Sequence, residues 1–454
     1  METKILTDTS GIGGHPRGLT TLFFTELWER FSYYGMRAIL VLYMVAPAAE
    51  GGLGFDTKRA ASIYGTYTMS VYLTALPGGL IADRLLGARL AVLVGGIIIA
   101  CGHFTMVYPS MPFFYGGMVL IALGTGLLKP NISSMVGSLY GENDARRDSG
   151  FSIFYMGINI GAVMAPLVCG YLAQGAGAKR LIASLGFDPA TSWHWGFGAA
   201  GIGMTLGLIQ YLVSRERLAH VGQRSGSNQD ASATTANQSL TREDWRRIGA
   251  IFIFFFFTIL FWAAYEQKGA SLNLFALKLV RTEVLGFSFP SSWLQSLTPL
   301  YVIALAPLFS ILWLRLGSRQ PSSPVKFTLG LLFIGLAYLL MIPAAALTAY
   351  GRVSPLWLVG LYFLEVIGEM CLSPVGLSTV TKLAPVKLVG IMMGVWFLAA
   401  ALGSKLAGYL SGFFATDAGI LVKLYGSIAV GLLVSAGVLA VLTPSVRKLM
   451  GKVS

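Results

Sequence analysis

The chain has 454 residues, 55% hydrophobic and 12% charged, with a formal net charge of +13 and a mean hydropathy of +0.69. A soluble protein carries about twice that charged fraction, so composition excludes a soluble globular domain and points to an all-α polytopic membrane protein. Short alternating segments of the transmembrane-barrel kind are absent, and the placement of the basic residues argues against nucleic acid as a partner.

The amino-terminal METKILTDTSGIGGHPRG lacks a basic flank running straight into an apolar stretch, so no cleavable leader is expected. Twelve spans are predicted, over about 20–47, 58–82, 89–108, 112–137, 149–173, 193–213, 247–277, 289–314, 325–347, 354–381, 388–414 and 420–442. With the amino terminus placed in the cytoplasm, most Lys and Arg fall in cytoplasmic loops and tails, among them Arg146, Arg147, Arg215, Arg217, Arg246, Arg247, Lys382, Lys387, Arg447 and Lys448. That excess is the positive-inside pattern and predicts both termini in the cytoplasm.

The first span, TLFFTELWERFSYYGMRAILVL, holds Glu26, Glu29, Arg30 and Arg37. Each charge at the centre of a lone spanning helix costs about 2.5–3.5 kcal/mol even on insertion scales, so these four need partners or water. At 3.6 residues per turn, Glu26, Glu29, Arg30, Tyr33, Tyr34 and Arg37 fall within an arc of roughly 140°. One polar face running the height of the span is the pattern of a pathway lining. A plain buried ion-pair cluster that fixes helix packing is the alternative, and such clusters are poor stability devices.

The second span carries Tyr64, Tyr67 and Tyr72 and ends in PGGLIADRLLGARL, a turn with Asp83, Arg84 and Arg89. The fourth holds GTGLLKPNISS, small residues suited to close helix contact, with Lys129 beside Pro130. The fifth contains FYMGINIGA with Asn159. A polar, small-residue stretch over 215–246 then reads as a flexible linker, giving an amino-terminal six-helix bundle (1–214) and a carboxy-terminal six-helix bundle (247–454). In the second half, FWAAYEQKGASLNLFA carries Trp262, Glu266, Gln267 and Lys268. The tenth span carries Glu365, Glu369 and Ser373, and the eleventh Trp396 and Lys405. Cys101, Cys169 and Cys371 lie in apolar stretches without metal-ligand spacing and read as free thiols. His15, His103, His194 and His220 read as structural or solvent-facing. No G-x-x-x-x-G-K-[ST] loop appears, which argues against a nucleotide-driven pump.

The string ELWERFSYYG (Glu26–Gly35) resembles the E-x-x-E-R-F-x-Y-Y-G signature of proton-coupled oligopeptide transporters of the major facilitator superfamily. GGLIADRLLG, GLLKPNISS, FYMGINIGA, FWAAYEQKGASLNLFA and GEMCLSPVGLSTVTKLAP follow in family order, so the likeness runs along nearly the whole chain. The resemblance implies the major facilitator fold and alternating access around a central cavity between the two bundles, with di- or tripeptides imported together with protons. It puts proton coupling on Glu26, Glu29, Arg30 and Lys129. The peptide carboxylate would go to Arg37, Lys129, Tyr33 and Tyr72, and the amino end to Glu369 and Asn159. Pocket walls would come from Tyr34, Trp262, Gln267, Trp293, Thr298, Ser373 and Trp396. Arg37 and Glu266 would form an external gate, and Asp83, Arg84 and Arg89 a cytoplasmic loop motif.

For Arg37 the residue-level alternative is snorkelling to the headgroups; for Lys129 it is a packing cation; for each tryptophan it is lipid or interface packing. Two departures stand out. The linker is too short and polar for the two extra helices of many bacterial members, which predicts a minimal twelve-helix form in a bacterial inner membrane. Thr298 also stands where the family usually has asparagine, which predicts a shift in substrate preference. No metal, no cofactor and no enzymatic activity are expected; the partners are peptides, protons and the bilayer, and function as a monomer. A carrier of nitrate or drugs, or a sensor on a transporter scaffold, are the rival readings. Glu369 and Asn159 argue against nitrate, which has no ammonium group to receive.

Overall fold

The computed structural model describes residues 8–141, 144–219, 221, 240–385 and 388–451. His220, Lys387 and most of the 215–246 linker lie outside the described residues. Apart from a small hairpin of two-residue strands, Glu283–Val284 and Phe287–Ser288, the regular structure is helical. This follows from composition. Within hydrocarbon every backbone N–H and C=O must be bonded inside its own segment, and a helix does that without an edge.

Among the described residues, ten helical stretches are long and apolar enough to cross a membrane, from Ala88–Thr105 to Ala418–Met450. The spans expected over 20–47 and 58–82 are helical but are not among them. The first carries its charges in every window of spanning length, and the second breaks after Leu73. The chain forms two compact units. One comprises Met1–Phe55, Ser70–Gly226 and Ser288–Leu300, the other Asp56–Met69, Ser227–Phe287 and Tyr301–Ser454.

In the first unit α1 (Arg17–Val45) is the central helix, with both apolar and polar faces buried. Here too are the end of α2 (Thr57–Leu73), the short α3 (Ala75–Ile81), α4 (Ala88–Thr105), α5 (Met111–Gly137), α6 (Arg147–Gln174), α7 (Ala176–Ser184) and α8 (Ser192–Val213). Helix α1 packs along α6 and α8, and α4 along α5 and α8. The α4–α5 crossing needs glycine on both sides. A Cβ on Gly95 would lie 2.7 Å from the Gly124 carbonyl oxygen, and one on Gly124 would lie 2.6 Å from that of Gly95. Small residues thus let the two backbones approach, the usual device where lipid supplies no hydrophobic drive between helices.

The arm before α1 is tied to the turn between α5 and α6. His15 Nδ1 and the Tyr140 hydroxyl share a 2.8 Å hydrogen bond, and Ser149 Oγ lies 3.3 Å from His15 Nε2. Arg146 bridges the Asp144 carboxylate at 2.8 Å and donates to the Asp8 carbonyl at 3.1 Å. Burial and the positive charge of Arg146 hold the His15 imidazole below its ordinary value, against the opposing pull of Asp144.

The second unit holds α9 (Arg242–Tyr265), α10 (Ser271–Leu279), most of α11 (Leu297–Leu316), α12 (Ser323–Leu347), α13 (Leu356–Leu383), α14 (Val389–Ser411) and α15 (Ala418–Met450). Helix α9 begins with a reciprocal cap. Asp244 N–H donates to Thr241 Oγ1 at 3.1 Å and Thr241 N–H to Asp244 Oδ2 at 2.9 Å, which fixes where the helix starts. It gives way at Glu266–Gly269 to one tighter 3-10 turn before α10. Helix α12 packs on α13 and α15, and α9 packs on α14.

Candidate functional site

The charges of the first span meet on one face of α1. Arg30 bonds both Glu29 oxygens, one of them from Nη2 at 2.6 Å, and its Nε lies 3.2 Å from Glu26 Oε1. Glu26 is 2% exposed, Glu29 0% and Arg30 3%, so one guanidinium serves two carboxylates away from solvent. Glu26 Oε2 has no hydrogen-bond partner among the described residues. Lys129 on α5 lies within electrostatic reach of Glu26, and its Nζ sits 4.9 Å from the centroid of the Tyr72 ring. Two acids therefore share one tightly bonded arginine, and Lys129 is a further cation within reach.

Arg37 is buried two turns further along α1. Its guanidinium carbon is 6.0 Å from the Tyr33 ring centroid and 5.9 Å from that of Tyr34, while Arg30 approaches the same rings at 5.1 and 6.0 Å. The two aromatic rings therefore sit between two cations, an arrangement stabilised by cation–π attraction. The structure thus brings together Glu26, Glu29, Arg30, Tyr33, Tyr34 and Arg37, and sets Lys129 with Tyr72. Asn159, on α6, turns its amide to the Tyr155 carbonyl at 2.9 Å. Trp293 commits its indole N–H to the Leu167 carbonyl at 3.0 Å, whereas the buried Thr298 hydroxyl has no hydrogen-bond partner among the described residues. At the loop motif, Asp83 and Arg84 are exposed; Arg89 reaches the Ala219 carbonyl at 3.4 Å and its own carbonyl accepts from Tyr211 at 3.0 Å.

The second unit has its own polar centre. Tyr265 donates its hydroxyl to Glu369 on α13. Lys268 Nζ lies 3.3 Å from the centre of the Tyr265 ring, so one aromatic side chain holds an acid at its edge and a cation on its face. Glu266 is buried on the same turn. Gln267 is spent internally. It donates to the Ala263 and Ala407 carbonyls, both at 3.2 Å, and accepts from Ser271 and Ser411, both at 2.6 Å. Trp396 lies against Phe327, ring centroids 6.2 Å apart, and Gly376 leaves room for its rim. Trp262 and Ser373 are half-buried. Lys405 bonds Thr66 Oγ1 at 2.6 Å.

Two features escaped sequence reasoning. Tyr265 was not legible as a partner of Glu369, because they are 104 positions apart and only the packing of α9 on α13 brings them together. Glu365, one turn from Glu369, is 0% exposed and neither of its oxygens has a hydrogen-bond partner. Its i,i+4 spacing places it on the Glu369 face but could not show that it lies within electrostatic reach of Tyr338 and Tyr362.

The POT family model matches residues 89–240 and 226–424. The chain belongs to the POT family. This POT family chain is 39% identical to "Peptide transporter YePEPT" of Yersinia enterocolitica, over 87% of each chain. It is 38% identical to the "Di-/tripeptide transporter" of Lactococcus lactis subsp. cremoris, over 85% of this chain and 87% of that one. Among solved structures, a mutant of the peptide transporter POT in complex with alafosfalin superposes with a TM-score of 0.89, at 38% identity and 99% coverage of both chains. A POT family transporter in complex with 5-aminolevulinic acid gives a TM-score of 0.86 at 32% identity, over 98% of this chain and 100% of that one. The POT family chain is thus a multi-pass bacterial membrane transporter with the major facilitator fold, not an enzyme.

Proposed function

We propose that the chain is a proton-coupled symporter that imports di- and tripeptides by alternating access, with no cofactor beyond the proton gradient. The observation that carries this reading is the buried Glu26–Glu29–Arg30 set with Lys129 in reach. One cation bonded to two acids, with a second cation able to approach or leave, makes the protonation of an acid depend on conformation. The names of the relatives in Yersinia and Lactococcus support peptides as the substrate class. Under this reading Arg37, Lys129, Tyr33 and Tyr72 receive the peptide carboxylate, and Glu369 with Asn159 the ammonium. Tyr34, Trp262, Thr298, Ser373 and Trp396 contribute walls. Gln267 and Trp293 shape them from behind, their polar groups being used within their own units. Arg37 and Glu266 act as gating charges, and Asp83, Arg84 and Arg89 as the loop motif at the cytoplasmic side, where both termini lie.

The energetics are sufficient. One proton entering across 100 mV gains about 2.3 kcal/mol, and each pH unit adds about 1.36 kcal/mol. Together they support a roughly few-hundred-fold gradient of a neutral substrate. The test is uptake of labelled dialanine into proteoliposomes with an inward proton gradient and with the gradient collapsed. Accumulation above equilibrium that vanishes with the gradient is expected. If dialanine neither accumulates nor exchanges in vesicles that hold folded protein, the peptide reading fails.

A further inference from the structure

At the start of α1 the first unit carries a cavity of about 360 Å³ that the transport reading does not use. Its lining includes Ser10, Arg17, Thr20, Phe24 and Arg217. Arg17 spends its Nε on Ser10 Oγ at 2.7 Å, and Thr20 Oγ1 accepts from Ile12 N–H at 3.0 Å, so the arm is fixed around the opening. Neither guanidinium meets a carboxylate within 4 Å among the described residues. Asp8 acts electrostatically on Arg17 while accepting the backbone N–H groups of Arg17 at 2.9 Å and Ser10 at 3.0 Å, and Glu216 precedes Arg217 in its turn, but neither acid lines the cavity.

What lies next to the two arginines decides the ligand. Along α1, Arg17, Thr20 and Phe24 follow at helical spacing on one face, so a cation, a hydroxyl and an aromatic ring succeed one another over roughly 10 Å into the span. Phe24 is 40% exposed. The second arginine stands in the turn Arg215–Leu218, just beyond the end of α8, and the last residues of that helix, Leu212 and Val213, are 44% and 80% exposed apolar side chains. Both helices that deliver an arginine therefore also present bare apolar surface on the bilayer side of it. A free anion would use the arginines alone. A molecule with an anionic head and a hydrocarbon tail would use both.

We propose that this cavity is a binding site for the phosphate headgroup of an anionic phospholipid of the cytoplasmic leaflet, with Arg17 and Arg217 as the phosphate ligands and Phe24 against the acyl chain. Basic pockets of this kind at cytoplasmic helix ends favour anionic over zwitterionic lipid, and arginine's planar fork suits a phosphate oxygen pair. The site would anchor the amino-terminal arm to the membrane surface.

The test is native mass spectrometry of the full chain released from detergent containing phosphatidylglycerol, phosphatidylcholine, or inorganic phosphate alone. Retention of phosphatidylglycerol over phosphatidylcholine is expected, falling about tenfold in the Arg17→Gln/Arg217→Gln double variant. Phe24→Gln keeps both charges and should lose lipid retention while leaving any effect of inorganic phosphate unchanged. Should the double variant fail to fold, Arg217→Gln alone, on an exposed turn, reads the same contact. Equal retention of the two lipids in the parent, or a preference that survives loss of Arg217, overturns the proposal. Binding of inorganic phosphate that displaces phosphatidylglycerol, with Phe24→Gln silent, assigns the site to a free anion and overturns the lipid assignment.

Discussion

The Tyr265 hydroxyl donates to the Glu369 carboxylate, tying the end of α9 to the middle of α13. Lys268 lies on the face of the same ring, so the orientation of Glu369, the proposed ammonium partner, depends on Tyr265. A hydrogen bond to a charged acceptor contributes about 1.5–3 kcal/mol. Tyr265→Phe should therefore weaken dialanine about tenfold, and N-acetylated dialanine much less. Glu369→Ala should produce the same contrast more strongly. Equilibrium binding of the two ligands to both variants checks this, and equal weakening of both ligands by Glu369→Ala would remove the ammonium role.

Glu29→Gln keeps the volume and one acceptor of a fully buried side chain while removing a charge that Arg30 bonds twice. Arg30 is left with Glu26 alone at 3.2 Å. Accumulation driven by an inward proton gradient should fall to the level of the collapsed-gradient control, with counterflow exchange of dialanine still measurable. Undiminished accumulation would show that the proton switch does not run through Glu29.

The division between what was legible and what was not follows from the range of each interaction. The polar face of α1 was readable because Glu26, Glu29, Arg30 and Arg37 lie on one helix, where spacing alone sets direction. The packing glycines of α5 were readable as small residues, though not their pairing with Gly95 on α4. The start of α9 at Arg242, inside the stretch expected as linker over 215–246, is set by a local Thr241–Asp244 cap. In contrast, the commitments of Trp293 to Leu167, of Gln267 to Ala407 and of Tyr265 to Glu369 each span more than 100 positions. Such pairings depend on which helices become neighbours. For the same reason the sequence did not show that the Gln267 amide bonds Ala407 and Ser411 on α14 as well as Ala263 and Ser271 in its own segment.

The amino-terminal arm should loosen in acid. His15 lies outside the spans, and burial with Arg146 nearby holds its imidazole below the ordinary value. A detached arm takes up a proton near pH 6.5, whereas the docked arm does so only at lower pH, so docking is complete above about pH 6.5 and weakens as pH falls through the lower value. Asp144 pulls the other way without reversing the shift. Its hydrogen bonds to Arg146 keep it below the usual carboxylate range and so ionised throughout the window. Hydrogen exchange at Gly11–His15 should accelerate between about pH 8 and about pH 5 beyond the intrinsic chemical change. His15→Asn should abolish that extra acceleration, and a pH response unchanged in the variant would exclude His15 as its source.

Glu365 offers a stability test that separates charge from shape. It is fully buried, and among the described residues both its oxygens lack a hydrogen-bond partner, as does the hydroxyl of Tyr362. An ionised carboxylate in that setting would cost several kcal/mol. Lys268, Glu369 and Glu266 act on it from the turn after α9 and from its own helix, so two further acids compete for the one cation. Glu365→Gln, which keeps the volume and is neutral, should therefore leave the melting temperature within about 2 °C of the parent. Glu365→Ala should lower it by more, since removing the buried side chain beyond Cβ opens a cavity at a cost of about 2–5 kcal/mol by analogy with large-to-small core substitutions. Thermal unfolding of both variants in one detergent decides it. A large loss with glutamine would mean that the carboxylate is charged and paired with Lys268, giving the second unit an ion pair of its own beside Glu369, the acid proposed to receive the peptide's amino end.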